Sequence, residues 1–138
     1  MSISFDLREL TIQINAVVRV ISARHGLTLS QSNILLSIPT DGISLINLSK
    51  KIGVDISTMS RNIQKLSNQN VIIKERSAFD LREYNLFVTE LGEEMLAEIN
   101  KEFDHFVSPI TSNINFDHSV FDFIENINWS LLKLRNKS

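Results

Sequence analysis

The chain has 138 residues, of which 43% are hydrophobic and 22% charged, with four Gly, two Pro and no Cys. This composition is typical of one globular domain and excludes a disordered or fibrous chain, and the lack of cysteine excludes disulfides, thiolate metal sites and thiol redox switches. The formal net charge of −2 divides into +4 over residues 44–82 (seven Lys and Arg against three Asp and Glu) and −6 elsewhere (seven against thirteen), so the middle third is basic.

Helical periodicity dominates the N-terminal part of the chain. Apolar residues recur at helical spacing from Ile3 to Ile21, and Gly26 is placed to stop this first helix. Ser30 is placed to cap a short second helix, which Pro39 closes. The chain is therefore predicted to open with two helices, of which the first has an apolar stripe along its length.

Two further helices meet at a tight break. Ser44 is placed to cap a helix whose buried stripe ends at Ile52, and Gly53-Val54-Asp55 has the length of a helix-turn-helix corner. Asp55 is available to cap the next helix. Four apolar residues form the stripe of that helix and are predicted to face the core: Ile56, Met59, Ile63 and Leu66.

The opposite face of this fourth helix is polar and basic. It consists of short hydroxyls, an amide and two cations: Ser57, Thr58, Ser60, Arg61, Gln64 and Lys65. Hydroxyls and lysines suit phosphates, whereas Arg61 and Gln64 are long enough to read base edges in a major groove. Lys50 and Lys51 on the preceding helix suit phosphates, and the N–H groups of the helix N-terminus offer another phosphate site. The alternative is a solvated helix face.

A short β-hairpin is predicted to follow. Residues 71–73 are β-branched enough to start a strand, residues 77–82 form a polar tip, and residues 84–89 alternate as a return strand would. Lys74 and Arg76 in the hairpin are further candidate DNA contacts. A helix-turn-helix followed by a two-stranded hairpin with a charged tip is a winged helix-turn-helix plan.

The last two predicted helices are long and apolar on one side. Thr89 is placed to cap the first of them, which Pro109 bends or ends, and Asp117 is placed to cap the second. The apolar side of the first comprises Leu91, Met95, Ile99, Phe103 and Phe106, and that of the second comprises Val120, Ile124, Ile127, Leu131 and Leu134.

The two ends of the chain have more apolar helical surface than a small central domain needs. Such surplus usually marks an interface, so we expect a homodimer made by the terminal helices. The predicted dimerisation residues are Leu7, Leu10, Ile14, Phe121, Ile124, Ile127 and Leu131.

The wing and the strand that follows it resemble the MarR family of bacterial transcriptional regulators. Asp80-Leu81-Arg82 is similar to the family's D-x-R wing, and LFVTELG from Leu86 to Gly92 is similar to its L-x-L-T-x-x-G signature. The resemblance covers about residues 27–95. Three departures occur: Lys74 stands where an arginine is usual, Ser49 replaces a small apolar residue, and the tip lacks prolines.

The resemblance implies a two-fold dimer on a pseudo-palindromic operator in double-stranded DNA. Each recognition helix would lie in a major groove and each wing arginine, here Arg82, in the adjacent minor groove. The Asp80 carboxylate would orient that guanidinium, although a surface ion pair is the alternative for these two residues. The family's cysteine-based redox sensing cannot apply to a chain without cysteine.

The predicted fold class is mainly α with a small β-wing. Residues 1–138 form a single domain, with a winged helix-turn-helix core at about 28–92 and flanking dimerisation helices at about 3–25 and 93–136. The predicted function is a sequence-specific, ligand-responsive repressor. The alternative is a winged-helix module that binds protein, but such a module has no need for a +4 charge on one segment.

Catalytic and metal sites find little support in the sequence. There is no nucleophile elbow, glycine-rich phosphate loop or HExxH pair, so we expect neither an enzyme nor a cofactor. His105 and His118 each follow an aspartate but have no histidine partner at helical spacing, so no metal site is expected. His25 lies at a helix end, where an imidazole commonly meets free carbonyls.

Two expectations concern ligands and location. Four phenylalanines could line a pocket for a small aromatic effector, as the family resemblance allows, or simply be core: Phe103, Phe106, Phe121 and Phe123. No segment approaches the roughly 18 uninterrupted apolar residues of a membrane helix and no signal peptide is evident, so we expect a cytoplasmic protein without a membrane partner.

Overall fold

The computed structural model describes residues 2–113 and 117–137, which are mostly helical with a small antiparallel sheet, as predicted. The elements in chain order are α1 (Ile3–Arg24), α2 (Leu29–Ser37), β1 (Ile43–Ser44), α3 (Leu45–Ile52), α4 (Ile56–Asn68), β2 (Ile72–Arg76), β3 (Tyr84–Val88), α5 (Glu90–Asn113) and α6 (His118–Asn136). They form two compact units, Met1–Phe103 and Asp104–Ser138.

Most predicted helix starts are confirmed by their capping hydrogen bonds. Ser44 Oγ accepts from the backbone N of Asn47 at 3.1 Å, and Asp117 Oδ1 accepts from the backbone N of Ser119 at 2.9 Å. Thr89 Oγ1 accepts from the backbone N of Gly92 at 3.0 Å. These oxygens satisfy N–H groups that have no partner within the first helical turn.

The predicted cap of α2 is wrong. Thr28, not Ser30, is the N-cap: its Oγ1 accepts from the backbone N of Gln31 at 3.1 Å. The Gln31 side chain accepts from the backbone N of Thr28, also at 3.1 Å, which completes a reciprocal capping box. The backbone N–H groups of both Thr28 and Gln31 are thereby satisfied.

The helix-turn-helix corner has the geometry that its sequence predicts. Gly53 ends α3 in the left-handed region, with φ 79°, and its N–H donates to the Ser49 carbonyl at 2.8 Å. Glycine adopts this conformation without the penalty that a Cβ would bring. Asp55 then caps α4, so α3 and α4 pack against each other on either side of a three-residue corner.

The buried stripe of α4 consists of Met59, Ile63 and Leu66, all at most 2% exposed. Ile56 was predicted to join them, but this is wrong, because its side chain is 46% exposed. It is the first residue of the helix, and core packing begins one turn later, at Met59. The rotation of α4 about its axis is therefore set by three residues instead of four.

The sheet has three strands, in the order β1-β3-β2, instead of the predicted two. Ile43 pairs with Leu86 and Ser44 with Asn85, so β1 covers the inner edge of the wing. The sequence did not predict β1 because two residues are too few to show a strand period. The predicted hairpin is otherwise confirmed, and β2 pairs with β3 over five positions.

The start of α5 lies against the backbone that leads into the wing. A Cβ on Gly92 would come within 2.3 Å of the Val71 carbonyl oxygen, so only glycine fits there. Thr89 joins the same two segments: its backbone N donates to the Val71 carbonyl at 3.0 Å and its Oγ1 donates to the Asn70 carbonyl at 2.7 Å. In the T-x-x-G part of the wing signature, Thr89 therefore caps α5 and Gly92 lets the helix pack against the backbone of Val71.

The apolar side of α5 differs in part from the prediction. Ile99 is buried and Met95 and Phe103 pack against the core, but Leu91 and Phe106 are exposed. Leu96, which the predicted stripe omitted, packs against the core as well. The helix does not end at Pro109 but continues to Asn113.

In the second unit, α6 has no buried residue. Its apolar residues are largely exposed, as are several on α1. Of the predicted dimerisation residues, Leu7 and Ile127 are half-buried and five are exposed: Leu10, Ile14, Phe121, Ile124 and Leu131. Within the described residues, no helix combines the length and the hydropathy needed to cross a membrane.

A pair of substitutions on α4 tests its rotation. Leu66→Ala should lower the free energy of unfolding by about 2–5 kcal/mol, because it leaves a cavity at a fully buried position. The matched control Ile56→Ala should change it by at most about 0.5 kcal/mol, because that side chain is exposed. Urea unfolding at fixed protein concentration measures both. Equal losses would contradict the assigned rotation.

Candidate nucleic-acid interface

The N-terminus of α4 is closed by a chain of hydrogen bonds. Asp55 Oδ1 accepts from the backbone N of Thr58 at 2.9 Å, and the Thr58 hydroxyl donates to Asp55 Oδ2 at 2.7 Å. Arg61 Nη2 donates in turn to Thr58 Oγ1 at 3.4 Å. Thr58, predicted to contact DNA, is half-buried, and its hydroxyl proton is committed to Asp55.

The Asp55 carboxylate also changes the electrostatics of this helix end. Its hydrogen bonds from the Thr58 backbone and then from the Thr58 hydroxyl hold the pKa of Asp55 below its ordinary 3.8. The group is therefore charged at neutral pH. A negative charge bound to the Thr58 N–H competes with a phosphate for this end of the helix.

The rest of the polar face of α4 is open to solvent. Five predicted contact residues are exposed: Ser57, Ser60, Arg61, Gln64 and Lys65. They lie on the side of the helix away from the buried residues Met59 and Ile63. The face thus offers two hydroxyls, two cations and an amide to whatever approaches it.

One hydrogen bond ties this face to the wing. Lys74 Nζ, in β2, donates to Gln64 Oε1 at 3.0 Å, and Gln64 Nε2 donates to Asn68 Oδ1 at the same distance. Both polar ends of the Gln64 amide therefore have partners within the protein. The wing and the polar face of α4 belong to one continuous surface.

The tip of the wing is an ordered turn built on Ser77. The Ser77 side chain is buried, and its Oγ accepts from the backbone N of Phe79 at 3.2 Å and of Asp80 at 3.3 Å. The Ser77 backbone N donates to the Glu83 carbonyl at 2.8 Å, which closes the turn. This hydroxyl orders a tip that contains no proline, and the sequence did not single it out.

Asp80 and Arg82 form a pair at this tip. Asp80 Oδ1 accepts from the Arg82 backbone N at 3.0 Å and lies 3.5 Å from Arg82 Nε. The Arg82 side chain is 93% exposed. The Asp80 carboxylate thus contacts the guanidinium at Nε, while the rest of the group extends into solvent.

The other wing arginine is held across the two strands. Arg76 Nη2 donates to the Tyr84 hydroxyl at 2.9 Å, and its guanidinium carbon lies 5.2 Å from the centroid of the Tyr84 ring. The two residues are directly opposite each other in the β2–β3 ladder. Sequence reasoning missed Tyr84, although an aromatic residue opposite an arginine in a hairpin is a recognisable cross-strand pair.

The two lysines of α3 differ in their surroundings. Lys50 is exposed, whereas Lys51 Nζ donates to the Ser37 carbonyl at 2.6 Å and so caps the last turn of α2. The contact that Lys51 makes is therefore structural, and phosphate binding would compete with it.

The histidine at the end of α1 meets a carboxylate instead of the predicted carbonyls. His25 Nε2 lies 2.9 Å from Glu102 Oε1, and Arg24 Nη1 lies 3.1 Å from Glu102 Oε2. The hydrogen bond to His25, followed by that to Arg24, holds the pKa of Glu102 below its ordinary 4.5. Within residues 2–113 and 117–137, no cluster of three or more His, Asp or Glu side chains could hold a metal ion.

Comparison with known sequences gives a family match over most of this region. The family model for transcriptional regulator SarA/Rot matches residues 16–99. A relative from Bacillus subtilis (strain 168), the uncharacterized HTH-type transcriptional regulator YdgJ, is 25% identical over 112 residues, which are 78% of this chain and 68% of the relative.

Comparison with solved structures shows that the chain has the fold of MarR regulators. A MarR transcriptional regulator from Methanosarcina mazei Go1 aligns with a TM-score of 0.81 at 22% identity, over 96% of this chain and 97% of that one. The S. aureus MepR–DNA complex aligns at 0.73 and 16% identity, over 96% and 98%. CouR from Rhodococcus jostii RHA1 bound to p-coumaroyl-CoA aligns at 0.80 and 15% identity, over 95% and 92%.

The Asp55 cap makes a prediction about pH. A lowered folded pKa stabilises the fold above the unfolded value, near 3.8, and this contribution disappears as the pH falls through the folded pKa. The loss of stability in Asp55→Ala should therefore be largest near neutral pH and shrink below about pH 4.

Urea unfolding across pH measures this effect, and Asp55→Ser is the matched control. A serine oxygen caps the helix without titrating, so the stability of this variant should lie between those of the alanine variant and the wild type. If the gap between Asp55→Ala and the wild type stays constant from neutral pH to pH 3, the carboxylate charge has no role in the cap.

Proposed function

This chain belongs to the transcriptional regulator SarA/Rot family, and we propose that it binds a pseudo-palindromic DNA operator as a homodimer and represses transcription until a small ligand releases it. One observation carries the DNA-binding part of this proposal. The hydrogen bond between Lys74 and Gln64 joins the polar face of α4 to the wing, so a helix suited to a major groove and an arginine suited to a minor groove act from one surface.

The dimensions and chemistry of α4 support its role as the recognition helix. Its 13 residues span about 20 Å, enough to lie along a stretch of major groove. Arg61 is the proposed reader of a guanine edge, with Ser57, Ser60 and Lys65 as phosphate contacts. Gln64 is the proposed reader of an adenine edge. To reach it, the amide would have to break its hydrogen bonds with Lys74 and Asn68.

Arg82 is the proposed minor-groove contact of the wing. Its exposure supports this role, and the Asp80 carboxylate at its root reduces the number of conformations that must be lost on binding. Thr58 and Lys51 are proposed to act indirectly, Thr58 by holding Asp55 and Lys51 by holding α2 against α3. Lys50 and Arg76 remain as proposed phosphate contacts.

Exposed apolar residues on the terminal helices support the homodimer. Leu10 and Ile14 on α1, and Ile124 and Leu131 on α6, are large apolar side chains in contact with water in the single chain. A soluble monomer rarely leaves so much apolar surface open. A two-fold dimer would bury it and would place two recognition helices on the two halves of a pseudo-palindrome.

A structural neighbour and a group of exposed aromatic rings support the ligand-responsive part of the proposal. The similar protein CouR was solved bound to p-coumaroyl-CoA, which has an aromatic acyl group. In this chain Phe103 packs against the core, whereas Phe106, Phe121 and Phe123 are exposed. These three exposed rings are the proposed contacts for a small aromatic effector.

A protein-binding winged helix is the second candidate, and a salt series separates it from a DNA-binding protein. Binding of the full chain to genomic fragments, including its own upstream region, is measured by fluorescence anisotropy. Tight binding to one fragment, with log affinity falling steeply against log salt, supports the regulator. Weak binding that is indifferent to sequence supports the protein-binding candidate.

Two substitutions on α4 separate base reading from phosphate contact. Arg61→Ala should weaken binding to the selected operator by about 1–3 kcal/mol and relax its sequence preference. Lys65→Ala should weaken binding to all sequences similarly and reduce the salt slope by about one. Anisotropy titrations against operator and random duplexes measure both. If Arg61→Ala reduces both affinities equally, Arg61 does not read a base.

A charge placed on α6 tests the dimer. Leu131→Glu should shift the chain from dimer to monomer, because burying an unpaired carboxylate in an apolar interface is strongly unfavourable. Sedimentation velocity measures the change, and circular dichroism confirms that the variant is folded. Leu36→Glu is the control, since Leu36 is similarly exposed but lies on α2, outside the predicted interface. A dimer that survives Leu131→Glu unchanged would place the interface elsewhere.

A further inference from the structure

The tip of the wing exposes a large apolar side chain on an ordered turn. Phe79 is fully exposed, at 101%, and Leu81 is 68% exposed. The backbone beneath Phe79 is nevertheless held in place, because its N–H donates to the buried Ser77 Oγ. A phenylalanine presented in this way contributes nothing to the core, and its ring keeps its full apolar area for a partner.

The position of Phe79 relates it to the proposed DNA surface. The bond from Lys74 to Gln64 fixes the base of the wing against the polar face of α4. Phe79 follows Lys74 by five residues, a reach of at most about 17 Å for extended chain. That limit is about half of the 34–36 Å helical repeat of DNA, so a wing tip can reach from a major groove as far as the next minor groove on the same face.

Phe79 is three residues from the arginine that is the proposed minor-groove contact of the wing. Arg82, three residues away, extends into solvent, and its neighbour Asp80 is already engaged with it. Over residues 72–88 three cations nevertheless face three carboxylates, so the hairpin has no net formal charge: Lys74, Arg76 and Arg82 against Glu75, Asp80 and Glu83. The phosphates therefore give the hairpin as a whole little net attraction, and the place of Phe79 next to Arg82, not the charge of the wing, favours the bases as its partner.

We propose that Phe79 is an apolar wedge that enters the minor groove beside Arg82, partly separates one base step and kinks the duplex. This inference rests on the proposed DNA-binding function and adds to it a contact and a deformation of the DNA. Apolar side chains inserted between base steps from the minor groove kink DNA toward the major groove. Flexible pyrimidine–purine steps cost least to open, so the wedge also gives the operator a preference at a base step that no hydrogen bond reads.

The test uses the full chain and a duplex that it selects from a random-sequence pool. Fluorophores at the two ends report bending by energy transfer, and 2-aminopurine, placed in turn at each candidate step, reports unstacking. Phe79→Ala should reduce affinity about tenfold, abolish the bend and abolish the 2-aminopurine signal. Phe79→Leu should retain most of all three, because leucine is also an apolar wedge.

Two controls separate this role from others. Arg82→Ala should reduce the slope of log affinity against log salt, whereas Phe79→Ala should leave the slope unchanged because it removes no charge. Leu36→Ala removes an exposed apolar side chain from α2 and should change neither affinity nor bend.

The experiment distinguishes failure of the wedge from failure of the proposed DNA-binding function. If the wild type selects no sequence and binds DNA only weakly, the proposed function itself fails. If the wild type binds its selected duplex tightly but Phe79→Ala binds and bends it equally well, the wedge is overturned, and the exposed ring is left to a protein partner.

Discussion

Burial of Met59, Ile63 and Leu66 sets the rotation of α4, and the polar face of that helix depends on this rotation. With these three side chains in the core, Arg61 and Lys65 must point outward, because a helix has only one opposite side. The corner at Gly53 and the cap at Asp55 then fix where the helix begins. Core packing thus determines which groups lie on the proposed DNA-binding face without any of them contributing to the core.

The wing depends on a second junction, at the start of α5. Gly92 lets the helix backbone approach Val71, and Thr89 binds the backbone of both Asn70 and Val71. The base of the hairpin is therefore held by α5 on one side and by the Lys74–Gln64 bond on the other. A movement of the first turn of α5 would therefore bear on the base of the hairpin, as the ligand-responsive regulation proposed above requires.

The sequence predicted most of the helices and the hairpin from apolar spacing, Gly53 and the caps at Ser44, Asp55 and Thr89. Two local features were missed, the cap at Thr28 and the turn at Ser77, because several nearby hydroxyls could fill each role. Three pairs could not be predicted, because each joins groups that only the tertiary fold brings together: Gln64 with Lys74, Lys51 with Ser37, and His25 with Glu102. Ile56, Leu91 and Phe106 were predicted on the buried side of their helices but are exposed. Apolar spacing identifies one face of a helix, but it does not show how far along that face the core extends.

These pairs divide the polar surface into two kinds of group. Some side chains are exposed and could contact DNA as they stand, whereas others would first have to break hydrogen bonds within the protein. Ser57, Ser60 and Lys65 are exposed, whereas the Gln64 amide would have to break two hydrogen bonds, each worth about 0.5–1.5 kcal/mol net. Lys74 would then lose its partner as well, unless a phosphate replaced it. In the proposed DNA complex, Gln64 therefore cannot both hold the wing and read a base. When it holds the wing, the proposed base reading in the major groove falls to Arg61.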